Sequence, residues 1–306
     1  MRSNAAAAPI AALVTLGLSS NVVVFAAGPL DNEWRWRAQG AGVHRFDTDL
    51  DEGGSVSTDR YFVSGGASTR VGSRWRVGAD VGYGADRYDF SGSSGFGAAQ
   101  PWGTLQEFRI SAPVRYLAGP DWSFFGVPSL RFNTESGVSL NDGRNGGLLA
   151  GAAYRVSDSL TIGPGLGVFS EIEDDTSFFP ILLIDWKITE TLSLETGGGF
   201  AASRGPGLQL NWRHSPQWQF SFGGRYESAR YRLDGDGAAP DGVGEYTSVP
   251  LYLQARYNIS DAASIGFVGG AEVEGELKLE SDSGRSLQSS ELDPVPFLGI
   301  TFRADL

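Results

Sequence analysis

From Glu33 onward the chain alternates apolar and polar residues with a period of two, segment after segment. In RWRVGADVGYGA, residues 74–85, one face carries Trp75, Val77, Ala79, Val81 and Tyr83, and the other Arg74, Arg76, Gly78, Asp80 and Gly82. Successive side chains of a strand point to opposite sides, so this pattern reads as a strand with one greasy and one wet face. The same alternation recurs at 33–43, 59–71, 105–116, 122–133, 147–156, 159–169, 178–188, 191–200, 206–213, 217–230, 246–259, 263–279 and 294–306. It predicts fourteen strands, mostly of ten residues or more. A tilted strand needs about 9–11 residues to cross a bilayer, whereas typical strands of soluble domains have about 5–6.

The connections alternate too. Short ones fall at Gly72-Ser73, Ala118 to Asp121, Ser157-Asp158, Thr189-Glu190, Ser215-Pro216 and Ser260-Asp261. Longer ones fall at 47–58, 91–104, 134–146, 170–177, 201–205, 231–245 and 280–293. Tight turns on one rim, loops on the other and an even strand count describe a closed antiparallel transmembrane β-barrel, all-β, with periplasmic turns and extracellular loops. Loss of the hairpin at 201–205 would leave twelve strands.

Aromatic residues fix which face meets lipid. Trp75, Tyr116, Trp122, Tyr154, Trp186, Trp212, Trp218 and Tyr257 all lie within a few residues of a short turn, each in the apolar phase of its strand. Such rings settle at the membrane–water boundary, with an apolar body and a wet N–H or O–H. A propeller has a similar spacing of hairpins, but its blades hold four short strands and have no use for an aromatic rim. The last ten residues, FLGITFRADL, alternate to the end of the chain, so they form a final strand that closes the barrel against WRWRAQ near its start.

Composition narrows the rest. Ahead of the barrel, Arg2, the apolar run Ala5–Leu18 and the small-residue box Val24-Phe25-Ala26 predict a cleaved export signal over 1–26, leaving 27–306 as one barrel domain. Zero cysteine excludes disulfide, zinc-cluster and thiol chemistry. A net charge of −12 argues against a nucleic-acid partner. Only Lys187 and Lys278 are lysines, and every other basic side chain is arginine or histidine.

The stretches FFPILLIDWKITETLSLETGGGF and GPGLQLNWRHSPQWQFSFGGRYESARYRLDGD resemble an uncharacterised family of outer-membrane-type barrels over most of the C-terminal half. That resemblance implies the barrel fold and a Gram-negative outer membrane, and it supplies no catalytic or binding residues. The terminal strand is also similar to the strands that barrel-assembly machinery reads in such proteins. It departs from them in ending on Leu306, with Phe302 inside, where most end in Phe or Trp.

The polar phase supplies the candidate chemistry. Arg35, Arg37, Arg60, Arg70, Arg74, Arg76, Arg109, Arg115 and Arg131 fall on the inward phase of the first five strands, and Glu272, Glu274 and Glu276 on strand thirteen. A charged interior is tolerable only away from lipid, so these residues predict a lumen with a basic arc opposite an acidic stripe. His44 and His214 lack the partners of a barrel hydrolase, and DTDLDEGG (47–54) lacks the glycine and glutamate of a calcium loop, so no enzyme, metal or cofactor is expected. Two functions fit: a passive diffusion channel for small hydrophilic solutes, or a non-conducting structural or surface-binding barrel. Outer-membrane lipid and lipopolysaccharide would surround either. Loop 91–104 discriminates, since an inward fold makes it a constriction. Mass spectrometry of the mature protein should find a chain starting near Ala27; a barrel that retains residues 1–26 would contradict the leader assignment.

Overall fold

In hydrocarbon a strand can satisfy its backbone only by pairing on both sides, so a chain of amphipathic strands must close on itself. The computed structural model describes residues 34–196 and 207–306, and the expected leader and the 201–205 loop lie outside them. Fourteen antiparallel strands form one closed sheet. They are β1 (Arg35–Asp49), β2 (Ser55–Val71), β3 (Trp75–Ser91), β4 (Thr104–Ser111 continued by Val114–Leu117), β5 (Trp122–Glu135), β6 (Arg144–Arg155) and β7 (Leu160–Glu171). There follow β8 (Asp174–Lys187), β9 (Leu192–Thr196), β10 (Gly207–Arg213), β11 (Trp218–Arg225 continued by Glu227–Arg232), β12 (Val243–Asn258), β13 (Ala263–Glu280) and β14 (Ser286–Leu292 continued by Val295–Asp305). A five-residue helix, α1 (Gly95–Ala99), sits in the loop after β3.

The three interrupted strands keep one register through their breaks. In β4, Ser111 pairs with Asp80 and Arg115 with Arg76, so nothing is inserted between them. Pro113 has no N–H to give the ladder, which is why pairing lapses there. The seam runs from Arg37 opposite Asp305 to Arg45 opposite Phe297, joining β14 to β1 as the sequence predicts. The hairpin of β9 and β10 is present, which decides fourteen strands over twelve.

Most strands outrun their predicted ends on the loop side. β1 extends to Asp49 instead of 43, β2 starts at Ser55 instead of 59, and β3 reaches Ser91 instead of 85. These extensions stand above the membrane, where the outward phase no longer needs to be apolar: on β3, Arg87 and Asp89 are exposed while Tyr88 and Phe90 are buried. The alternation continues, but with its chemistry reversed.

Within the membrane the faces are as expected. Val81, Phe124, Leu148, Leu182, Phe222, Leu253, Phe267 and Ile300 all point outward and are exposed. The aromatic girdle is built from cross-strand pairs: Trp75 with Tyr116, Trp122 with Tyr154 and Trp218 with Tyr257, at ring separations of 4.6, 4.9 and 5.1 Å. Tilted contacts at that spacing add to area burial and lock neighbouring strands at the short-turn rim. Trp186 and Trp212 lie on the same outer surface.

Val81 is 52% exposed on the lipid face and Asp80 is half-buried on the inner one. Val81→Arg should therefore destabilise the inserted barrel by roughly 2–4 kcal/mol, while Asp80→Asn leaves insertion intact. The fraction of heat-modifiable, folded protein in lipid vesicles reads this out, and equal effects from both variants would contradict the assigned faces.

Candidate functional site in the barrel lumen

The inward side chains are arranged in layers from the short-turn rim to the loop rim. At the inner rim Asp305 accepts from Arg37 Nε at 3.0 Å and from Arg303 Nε at 2.5 Å. Further in, an amide network runs around the β9–β12 wall. Asn211 Nδ2 donates to Glu195 (3.0 Å), Gln209 Nε2 to Asn211 Oδ1 (2.6 Å) and Tyr252 O–H to Gln209 (2.9 Å). Next to it, the β5–β8 wall carries an apolar cluster inside, with Phe125, Val127, Leu149, Phe169, Phe179 and Leu183 buried together. The phenyl rings lie flat over inward-facing glycines; a Cβ on Gly147 would come within 2.1 Å of the Phe169 ring.

Above this a charged layer spans the lumen. Arg60 of β2 reaches Glu227 of β11 at 2.8 Å and Glu272 of β13 at 3.0 Å through the same Nη1. Arg45, 0% exposed, donates to Thr58 at 2.6 Å and to Tyr246 at 3.3 Å, and stands 3.5 Å from Glu272. Tyr246 O–H closes the group by donating to Glu272, and its ring lies 4.7 Å from the Arg60 guanidinium. Arg225 Nε donates to Glu227 at 2.7 Å. β2 and β11 stand five places apart around the ring, so Arg60 and Glu227 form a bridge across the lumen. Each carboxylate accepts from more than one donor, which is what makes burial of these charges tolerable.

An apolar cap covers the charged layer. Loop 91–104 folds inward, burying Phe96 (0% exposed) and Trp102 among Tyr88, Phe90, Tyr231, Leu233, Leu277, Leu279 and Leu292. Rings of Phe90, Phe96 and Trp102 stand 5.6–6.3 Å apart. The loop seats by backbone contact with the β1–β2 turn: a Cβ on Gly54 would approach Gly97 Cα within 2.5 Å, and Gly54 also has φ +91°. Only glycine serves there.

The outermost layer is an ionic latch. The end of β11 leans across the mouth and makes one parallel bridge to β5, Arg232 opposite Thr134, although the two strands are six places apart in the ring. Asn133 Nδ2 donates to the Arg230 carbonyl at 3.1 Å. Arg230 binds Glu245 at 2.7 Å and Glu280 at 2.5 Å, and its Nε donates to the Ile172 carbonyl at 3.1 Å. Arg232 pairs with Glu173.

The sequence-predicted lumen residues divide accordingly. Arg37, Arg60, Arg76, Arg109, Arg115, Arg131 and Glu272 face inward and are buried or half-buried. Arg35 holds the inward phase at the exposed start of β1. Arg70 folds back on the turn, donating to the Gly72 carbonyl at 2.7 Å. Arg74 lies in that turn and donates to the girdle hydroxyl of Tyr116 at 3.2 Å, so it is a rim residue and not a lumen residue. Glu274 and Glu276 also depart from the expected stripe. A bulge at Glu274 (φ +51°) shifts the β12–β13 register between Thr247 and Val249, and the phase flips beyond it. Leu277 and Leu279 then point into the cap, Glu274 is exposed, and Glu276 pairs with Lys278 at 3.2 Å on the outer side.

Sequence reading missed Arg45, Glu227, Arg225, Tyr246, Arg230, Glu245 and Glu280. Arg45 lies past the predicted end of its strand, Glu245 and Glu280 lie in predicted loops, and Glu227 and Tyr246 meet partners remote in the chain. His44 pairs with Asp59 at 2.7 Å in exposed positions, and among the described residues no group of three or more His, Asp or Glu could hold a metal ion.

No family model and no curated protein matches the chain. Among solved structures it is similar to an outer membrane channel from Pseudomonas putida F1, at 12% identity and a TM-score of 0.50, covering 93% of this chain and 98% of that one. It is also similar to a FadL homologue of Pseudomonas aeruginosa, at 10% identity and a TM-score of 0.46 over 89% of both chains. A third is the Pseudomonas putida toluene transporter TodX, at 8% identity and a TM-score of 0.45 over 90% of this chain and 91% of that one. These likenesses are of fold. The closed sheet with its apolar outer belt and aromatic rim is that of an outer-membrane β-barrel, the fold shared with the Pseudomonas putida F1 channel.

Removing one member of the buried bridge leaves uncompensated charge, whereas the half-buried pair on the outer side of β13 has water as an alternative. Glu227→Ala should cost about 3–5 kcal/mol of stability, and Glu276→Ala about 0–1 kcal/mol. Urea-unfolding midpoints in vesicles test the contrast, and a larger effect at Glu276 would contradict the bulge assignment.

Proposed function

We propose that the protein is an outer-membrane channel for small hydrophilic solutes, passive in operation and closed at its outer mouth in the state described. The observation that carries this reading is the origin of the closure. The cap comes from the inward loop with α1 and from the leaning end of β11, both beyond the membrane wall, while beneath it charged and polar side chains such as Arg76, Arg115, Asn211 and Arg303 line the lumen beside the apolar β5–β8 stretch. Well-packed apolar residues are often as stabilising as buried ion pairs, or more so, so a purely structural barrel has little reason to keep arginines inside. A polar lining is what hydrated solutes require. The shared fold of the Pseudomonas putida F1 outer membrane channel supports the reading.

A second reading, a non-conducting barrel, is favoured by a different observation. Arg45, Arg60, Glu227 and Glu272 belong to wall strands, so lifting the cap alone leaves the lumen bridged. In either case the outer belt contacts lipid and lipopolysaccharide, and the FLGITFRADL strand would be offered to the barrel-assembly machinery.

Planar-bilayer recording separates the two. Wild-type protein should show rare, small openings, and a variant lacking Gly95–Ala99, or carrying Phe96→Gly with Trp102→Gly, should open more often and conduct more. Folded wild-type and cap variants that both give no conductance steps would establish the non-conducting reading.

A further inference from the structure

Two pairs of like charges face one another directly across neighbouring strands on one wall of the lumen. Arg76 of β3 stands opposite Arg115 of β4, and Arg109 of β4 opposite Arg131 of β5. Between these rungs Ser111 opposes Ser129, and on the far side of Arg131 lies Asn145 of β6. Directly opposed like charges destabilise a sheet, and burial strengthens the repulsion. Arg115 is only 7% exposed and Arg131 only 1%.

The protein leaves the same edge of both guanidinium groups without a partner. Nε and Nη2 of Arg115, and Nε and Nη2 of Arg131, make no hydrogen bond within the chain, nor do the hydroxyls of Ser111 and Ser129. Nε and Nη2 form the side-on edge that takes two oxygens of one planar or tetrahedral anion in parallel. The upper rung has some internal compensation, because Glu107 stands 3.4 Å from Arg109 Nη1, and Glu107 and Glu171 both act on Arg131. At Arg115 the charges that act most strongly are Arg76 and Arg155, both cations.

We infer that the β3–β5 wall is an oxyanion track, with its principal seat at Arg115 beside Arg76 and a second station at Arg131 beside Arg109. Its ligand is a small oxyanion, phosphoryl or carboxylate. Two ligand oxygens accept from Nε–H and Nη2–H of Arg115, and Ser111 and Ser129 offer hydroxyl donors along the way to Arg131. This goes beyond conduction and does not require it, since the lower seat lies near the inner rim.

The test is calorimetric titration of the purified, folded, full-length barrel in detergent with inorganic phosphate and, separately, acetate, at constant ionic strength set with chloride. Saturable binding of either is expected, weakened about tenfold or more by Arg115→Gln, as for loss of charge-assisted hydrogen bonds. Arg131→Gln should weaken it less, and Arg285→Gln, in an exposed outer loop, should leave it unchanged. Binding of phosphate alone assigns a phosphoryl ligand, and of acetate alone a carboxylate. Should Arg115→Gln fail to fold, Arg115→Lys, which keeps the charge but loses the two-donor edge, replaces it with the same expected direction. No saturable binding to folded wild-type protein, or binding indifferent to Arg115, overturns the proposal. Binding without conductance would keep the seat and remove the channel reading; conductance without binding would do the reverse.

Discussion

The rest of the structure depends on one ladder, the pairing of β14 with β1 from Asp305–Arg37 to Phe297–Arg45. A strand edge left open in hydrocarbon strands its N–H and C=O groups at several kcal/mol apiece. Closure at this seam removes both edges at once, and it divides every strand into a side that sees lipid and a side that does not. The apolar phase then has to lie outward, and the arginines have no place but the interior. Both the belt through Val81, Leu253 and Ile300 and the charges around Arg60 follow from that division.

Once inside, the charges need counter-charges, and the lumen supplies them more fully in one place than in another. Between β2 and β11 the pairing is complete enough to bridge the barrel, with Glu227 and Glu272 holding Arg60 and Tyr246 filling the space between cations. On the β3–β5 wall the arginines face one another and keep donor edges open. The first arrangement resembles a core, the second a surface waiting for a counter-charge. Above both, the loop carrying Phe96 and Trp102 seals the mouth with apolar contacts, and the leaning end of β11 ties opposite rims together through Arg230 and Arg232.

Much of this was legible in the sequence, and the limit falls at a definite height. Period-two alternation located all fourteen strands, and the eight girdle aromatics identified the rim and the lipid face, because a bilayer imposes a one-dimensional rule on each strand. Above the membrane that rule lapses. Strand ends past Val43 and Ala85 follow the demands of the cap instead, so Arg45 and Tyr88 fall outside the predicted strands. A single left-handed residue, Glu274, turned an expected acidic stripe into one lumen carboxylate and two outer ones, and no local pattern announces such a bulge. Partnerships such as Arg60 with Glu227, 167 positions apart, exist only after closure.

Side chains fill the outer half of the lumen, from the charge bridge to the apolar cap. The chain has no cysteine, so one introduced thiol reports on one place. Ser248 lies opposite Glu227 on the inner wall and is 0% exposed, and serine to cysteine hardly changes the volume there. Ser248→Cys in the folded barrel should resist a small, water-soluble thiosulfonate applied from either side of the membrane, while Ser73→Cys in an exposed turn reacts to completion. Labelling of Ser248→Cys as fast as Ser73→Cys would mean an open, water-filled lumen at the level of the charge bridge, and would contradict the account.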